Sequence, residues 1–99
     1  MKFAARIDSN QPQIVAALRE LGASVLHLHT IGKGAPDILI GYQGKNALVE
    51  LKDGDKPPSA RKLTPDEQKF HAEWRGQVAI IESVEEAVAF IQTTNWEEM

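Results

Sequence analysis

The chain has 99 residues, of which 42% are hydrophobic and 25% are charged, and it contains no cysteine. These values are typical of a soluble globular protein, and we expect residues 1–99 to form a single domain with a tail over 93–99. The lack of cysteine excludes disulfide bonds and thiolate metal sites, and no segment has the pattern of a membrane span or a signal peptide. The expectation is a cytoplasmic protein with no membrane partner.

The net charge of −3 is unevenly distributed along the chain. Five glutamates and no basic residue follow Arg75, so residues 1–75 carry a net charge of +2. Affinity for DNA comes largely from the neutralisation of phosphates by lysine and arginine. The negative total charge therefore does not exclude a nucleic-acid partner for the first three quarters of the chain.

A helix and a strand are the first predicted elements. Asn10 is suited to cap a helix that ends at Gly22, and the alternating segment 23–31 predicts a strand with His27 and His29 on one face. Two histidines at this spacing could bind a transition metal. No third ligand lies nearby in the sequence, so a half-polar strand face is the simpler interpretation.

A β-hairpin is the next predicted element. Two apolar, β-prone segments lie on either side of the turn residues 43–46, and a symmetric turn would place Asp37 opposite Lys52 and Leu39 opposite Glu50. Because residues two apart share one face of a strand, Asp37, Glu50 and Lys52 then project from the same side. The two carboxylates would be close enough to bind one cation.

These three side chains together have the chemistry of phosphodiester hydrolysis. Two carboxylates are hard oxygen ligands for Mg²⁺ or Mn²⁺, which can hold a phosphodiester oxygen and make a bound water more acidic. A lysine beside them can orient or deprotonate that water and stabilise the negative charge of the transition state. The alternative interpretation is a cluster of salt bridges on a solvated face of the sheet.

The second half of the chain predicts a helix, a short strand and a final helix. Thr64 and Glu67 form a capping box at the start of the first of these helices, and Phe70 and Trp74 are expected on its buried side. The apolar segment 77–82 predicts a buried strand. The order αβββαβα then indicates an α/β domain with a mixed sheet flanked by helices.

Two motifs carry a resemblance to a known family. GxPD at 34–37 comes directly before an apolar strand, and ExKDG at 50–54 closes the next strand. This pattern resembles the PD-(D/E)XK nuclease superfamily and, more narrowly, its virus-type replication-repair nuclease (VRR-NUC) domains, especially the short stand-alone forms of bacteriophage. The resemblance spans about residues 6–91. It implies a restriction-endonuclease-like core and a DNA endonuclease with Mg²⁺ or Mn²⁺ as cofactor.

The resemblance also implies roles for individual residues. Asp37 and Glu50 would be side-chain ligands of the metal, the carbonyl of Leu51 would be a backbone ligand, and Lys52 would act on the attacking water. Related nucleases commonly place a glutamate early in the first helix, where this chain has Gln11. A neutral amide weighs against a second strongly held metal. Gln11 is then either a contact of the metal shell or an ordinary polar residue of a first helical turn.

Basic residues in the loops around this hairpin are candidates for binding the DNA backbone, since loops beside a metal centre commonly hold the substrate. They are Lys33, Lys56, Arg61 and Lys62. Solvated side chains in a linker are the alternative interpretation.

The leading functional hypothesis is a metal-dependent endonuclease acting on branched DNA as a homodimer. Small stand-alone members of the family are associated with resolution of four-way (Holliday) junctions, and the two-fold symmetry of a junction suits a dimer. The candidate dimer interface is apolar surface near Phe70, Trp74 or Trp96. The alternatives are a non-catalytic DNA-binding module on the same fold and a domain that binds a partner through its acidic C-terminal surface.

Overall fold

The computed structural model describes residues 9–94 as a four-stranded sheet with three helices. In chain order the elements are α1 (Gln11–Glu20), β1 (Ser24–His27), β2 (Ile38–Tyr42), β3 (Lys45–Leu51), α2 (Pro65–Glu73), β4 (Val78–Ile81) and α3 (Val84–Thr93), with a short 3-10 turn at Pro58–Ala60. Thr93, where the predicted tail begins, is the last residue of α3. Residues 95–99 of that tail, including Trp96, lie outside the described residues.

The strand order in the sheet is β1-β2-β3-β4. The first three strands form an antiparallel meander, whereas β4 pairs with β3 in parallel. A parallel neighbour needs a crossover connection, and the segment containing α2 supplies it. The predicted fold class, an α/β domain with a mixed sheet flanked by helices, is confirmed.

The hydrophobic core lies between one face of the sheet and the helices α1 and α3. Alternate residues of β2 and β3 are fully buried on this face, together with Leu18 of α1 and Ala87 and Ile91 of α3. Because neighbouring residues of a strand point to opposite faces, Asp37 and Glu50 project from the other side of the sheet. The core therefore provides a rigid support behind the strands that carry the two acids.

The helix starts differ from each other in how they are capped. Thr64 and Glu67 form the predicted capping box of α2, with both reciprocal hydrogen bonds present. Asn10 occupies the predicted N-cap position of α1, but its side chain makes no cap hydrogen bond to the helix. Its amide instead donates to the carbonyl oxygens of Lys52 and Glu82, at 3.1 and 3.2 Å. Asn10 thus ties the start of α1 to the ends of two strands.

The hairpin turn is shorter than predicted. Gln43 and Gly44 have φ angles of 51° and 80° and form a two-residue turn, because positive φ at both positions is the geometry of a tight type I′ connection. Tyr42 therefore pairs with Lys45, and Leu39 pairs with Leu48 instead of Glu50. The register moves by two residues, which keeps the parity of the strand. The predicted common face of the candidate residues is preserved.

Two other expectations need correction. The first strand ends at His27, and a turn follows in which the Ile31 N–H donates to the Leu28 carbonyl at 3.0 Å. No side chain of α2 is buried, so Phe70 and Trp74 do not belong to the core. Their rings stack at a centroid distance of 5.1 Å, and Trp74 is 47% exposed.

Within residues 9–94 no helix has the length and apolar character needed to cross a membrane.

Candidate functional site

Asp37 and Glu50 meet where β2 begins and β3 ends. Ile38 pairs with Val49, so the next position along each strand places Asp37 opposite Glu50. The backbone N–H of Leu51 donates to Asp37 Oδ2 at 2.8 Å, which fixes the Asp37 carboxylate against the end of β3. The expectation that Asp37 lies opposite Lys52 was wrong, because the tighter turn brings the two acids directly across from each other.

Glu50 is an acidic residue that the fold buries almost completely. It is 3% exposed, and its Oε1 atom is buried without a hydrogen-bond partner. Burial raises the pKa of Glu50 to about 9, helped by the negative charges of Asp37 and Glu67 and by a hydrogen bond with Asp37, while Lys52 opposes the shift. A buried carboxylate oxygen without a hydrogen-bond partner is costly unless the carboxyl group is protonated or a cation binds that oxygen.

Lys52 connects the acidic pair to helix α2. Its Nζ lies 3.6 Å from Glu50 Oε2 and donates to Glu67 Oε1 at 2.8 Å. The same Glu67 oxygen accepts from the backbone N–H of Thr64 at 2.9 Å, so the capping carboxylate also holds the lysine. Burial alone would raise the pKa of Glu67, but the hydrogen bonds from Lys52 and Thr64 bring it below its usual value.

Sequence reasoning identified Glu67 as a cap and missed its contact with Lys52. The capping-box pattern explains the residue completely on its own, so the sequence gives no reason to look for a second hydrogen-bond donor.

A cavity of about 370 Å³ lies over these groups. Its walls come from the end of β3, the loop after β1 and the first turn of α2. They include His29, Asp37, Glu50, Lys52, Lys56 and Glu67. The described structure thus gathers Asp37, Glu50 and Lys52 around one opening to solvent, and it adds His29 and Glu67 to the predicted set.

The glycine-rich loop before Asp37 packs against the start of α2. A Cβ atom at Gly34 would overlap the backbone of Asp66 and Glu67, whereas a Cβ at Gly32 would meet no atom within 4 Å. Both glycines have φ near +80°, a conformation that is strained for residues with side chains. Only Gly34 therefore combines this backbone conformation with close contact to the helix.

We expect Gly34→Ala to disturb the site more than Gly32→Ala does. The overlap should push the first turn of α2 away and move Glu67, and with it Lys52, while the strain from positive φ is common to both variants. Thermal unfolding should show the larger loss of stability for Gly34→Ala, together with a loss of the proposed cleavage activity. Equal behaviour of the two variants would contradict the importance of this contact.

The structure places Gln11 outside this cavity. Gln11 is 2% exposed, lies on α1 at the other side of the sheet, and its Nε2 is 3.4 Å from His27 Nδ1. It lines a separate groove together with His27 and His29. Its assignment as a contact of the metal shell stays a prediction.

The four basic residues proposed to bind DNA occupy different surroundings. Lys56 lines the cavity, and Lys33 lies in another depression beside α2. Arg61 donates to the Lys56 carbonyl at 2.8 Å and pairs with Glu82 at 3.2 Å, so it has a structural role in the loop. Lys62 is exposed. Among the four, Lys56 is therefore the residue that the described structure brings to the acidic pair.

The donor set fits one hard divalent cation. Asp37 and Glu50 offer carboxylate oxygens, and the buried Glu50 Oε1 atom lacks a partner that a cation would supply. Within residues 9–94 no group of three or more histidine or acidic side chains is arranged to hold a metal ion. A site built from this pair thus depends on further oxygen ligands from the backbone, solvent or substrate.

The chain resembles a solved protein structure. Neither a family model nor a curated protein sequence matches the chain. A solved structure described as a VRR_NUC domain is 26% identical, with a TM-score of 0.64, over 84% of this chain and 90% of that chain. The match covers most of both chains and agrees with the GxPD and ExKDG motifs. The fold and the motifs of the chain therefore support a VRR-NUC domain, and the match suggests a nuclease-type function.

Proposed function

We propose that this protein is an endonuclease that uses Mg²⁺ or Mn²⁺ to hydrolyse phosphodiester bonds of DNA. The observation that carries the proposal is the buried Glu50 carboxyl, with one unpartnered oxygen, between Asp37 and Lys52. Burying a carboxyl group in this way costs stability, and ionisable groups in such surroundings cluster at functional sites. Nucleases of this fold family usually use divalent metals, and the two acids match that requirement.

Each residue of the site has a distinct role in the proposed reaction. Asp37 and Glu50 would hold the cation with the backbone carbonyl of Leu51, and the bound cation would polarise the phosphate and acidify a water molecule. Lys52 is fixed by Glu67 as a hydrogen-bond donor. In that state it can orient the attacking water and stabilise negative charge on the phosphate. The water oxygen would then bond to phosphorus as the bond to the leaving oxygen breaks, with the water proton released to solvent and the leaving oxygen protonated from solvent.

The direct test is cleavage of DNA by the purified protein with Mg²⁺ or Mn²⁺, with EDTA as the control. Circular plasmid separates endonuclease from exonuclease activity, because only an endonuclease can nick a circle. Binding without any metal-dependent nicking would favour the non-catalytic module, for which the neutral Gln11 is the supporting observation.

We further propose that the substrate is branched DNA and that the working form is a homodimer. The chain has eleven basic residues and a net charge of −3, so a single copy would bind a long duplex weakly. Exposed apolar side chains, which are common at interfaces, include Leu26, Ile31, Trp74 and Ile80, between 43% and 63% exposed. The stacked Phe70 and Trp74 rings on α2 are the candidate centre of such an interface.

For this proposal we expect paired nicks placed symmetrically across a four-way junction. Each of the four strands is labelled in turn, and sedimentation at micromolar protein measures the oligomeric state. Trp74→Ala should weaken the dimer, while Lys69→Ala on the same helix serves as a control. A protein that sediments as a monomer with and without DNA, or that cuts plain duplex equally well, would contradict both parts.

A further inference from the structure

A second cavity lies on the other side of the sheet edge, between α1 and β1. This groove has a volume of about 420 Å³ and is lined by one face of α1, from Gln11 to Arg19, and by His27 and His29. Val15 and Ala16 give it an apolar wall. The groove is therefore a mixed surface, with flat rings and an amide facing small apolar side chains.

Gln11 supplies the polar group of the groove. The residue is 2% exposed, and its Oε1 atom is buried without a hydrogen-bond partner. Its Nε2 is 3.4 Å from His27 Nδ1, which is a long contact for a hydrogen bond. Buried polar atoms are nearly always paired, so this amide is suited to a ligand that offers both a donor and an acceptor.

The two histidines supply aromatic faces. Their ring centroids are 5.9 Å apart with an angle of 76° between the planes, and His29 Nδ1 is also buried without a partner. Histidine rings are among the side chains on which unstacked nucleobases pack. A planar heterocycle with donor and acceptor edges would satisfy both the rings and the Gln11 amide.

His29 connects this groove to the candidate nuclease site. It lines both the groove and the cavity that contains Asp37 and Glu50. A strand held by its phosphate over the acidic pair would therefore have a neighbouring nucleotide close to the groove.

We propose that the groove binds one unpaired nucleobase of the strand whose phosphate lies over Asp37 and Glu50, an inference that rests on the proposed function. Binding of a base would explain why position 11 is neutral, because an amide can both donate to and accept from a base edge, whereas a carboxylate can only accept. The groove then selects DNA with an unpaired nucleotide beside the scissile phosphate.

The test is binding without cleavage, measured by fluorescence anisotropy in EDTA at low salt. Two labelled DNA hairpins carry one unpaired position, either with a base or as an abasic site. The wild-type protein should bind the hairpin with the base at least about tenfold more tightly, within the range that stacking of one base provides. Gln11→Leu, which keeps the volume, and His27→Ala should remove most of this preference.

Gln13→Ala is the matched control, because Gln13 is an exposed glutamine of the same helix and does not line the groove. Its preference should equal that of the wild type. Equal affinity of the wild type for the two hairpins, undetectable binding of both, or a preference that survives in Gln11→Leu would overturn the inference. The hairpin comparison with wild-type protein does not depend on the folding of any variant.

Cleavage assays with Mn²⁺ separate this result from the fate of the proposed function. A base preference without metal-dependent nicking would sink the nuclease proposal and keep the nucleobase groove. Metal-dependent nicking without a base preference would keep the nuclease proposal and overturn the nucleobase groove.

Discussion

Lys52→Ala should leave the protein folded and reduce DNA cleavage by about 100-fold to 1,000-fold, the usual effect of removing one group that stabilises transition-state charge. The lysine side chain is only 13% exposed, but Glu67 retains its capping hydrogen bonds with Thr64 when the lysine is removed. Glu50 also loses its nearby positive charge and should hold its proton more firmly. Asp37→Asn and Glu50→Gln should each reduce cleavage at least as much, because each removes a proposed ligand of the metal.

Lys45→Ala is the matched control for the lysine, since Lys45 is an exposed residue at the opposite end of the same strand. It should cut at the wild-type rate. Initial rates of plasmid nicking and circular dichroism spectra are compared for all variants. Folded Lys52→Ala and Asp37→Asn proteins with near wild-type rates would show that the site is assigned to the wrong residues.

The affinity for Mn²⁺ should increase about tenfold for each pH unit between pH 6 and pH 8. The pKa of Glu50 is raised to about 9, so the carboxyl is protonated in this range and must release its proton when a cation binds. Calorimetric titration in two buffers with different ionisation enthalpies measures the number of protons released, which should be close to one. Glu50→Gln should bind Mn²⁺ weakly with no such proton release, and a pH-independent affinity of the wild type would refute the explanation.

The same raised pKa predicts how the stability of the metal-free protein depends on pH. In the unfolded chain Glu50 ionises near its ordinary pKa of 4.5, whereas in the folded protein it keeps its proton up to about pH 9. Its contribution to stability is therefore fully present below pH 4.5 and is lost as the pH rises toward 9. Glu50→Gln should remove this loss and raise the melting temperature at pH 8. The lowered pKa of Glu67 acts in the opposite sense and costs stability only as the solution becomes acidic.

The common face of the candidate residues could be predicted from the sequence because it depends only on strand parity. The predicted four-residue turn was two residues too long, but a shift of two in the register leaves Asp37 and Glu50 on a common face. The actual pairing could not be predicted, since it depends on Gln43 adopting a positive φ, which glutamine seldom does. A one-residue error would have moved one of the acids into the core.

Helix α2 shows what the sequence could not provide. Aromatic residues four apart, such as Phe70 and Trp74, indicate a buried face in most helices, but here they stack on each other at the surface. Whether the aromatic face is buried depends on where the helix lies in the fold. The sequence of α2 alone does not show that few elements pack against it. The contact of Glu67 with Lys52 was missed for a related reason, because it joins segments fifteen residues apart.

Glu67 Oε1 accepts from two donors that belong to different parts of the molecule, the first turn of α2 and the lysine at the end of β3. Because α2 has no buried side chain, these bonds and the contact with Gly34 hold its start in place. Fraying of the helix start would then remove the contact of Lys52 with Glu67. Amide hydrogen exchange at the Glu67 N–H would thus report on the order of the candidate site in the absence of metal, substrate or any assay of turnover.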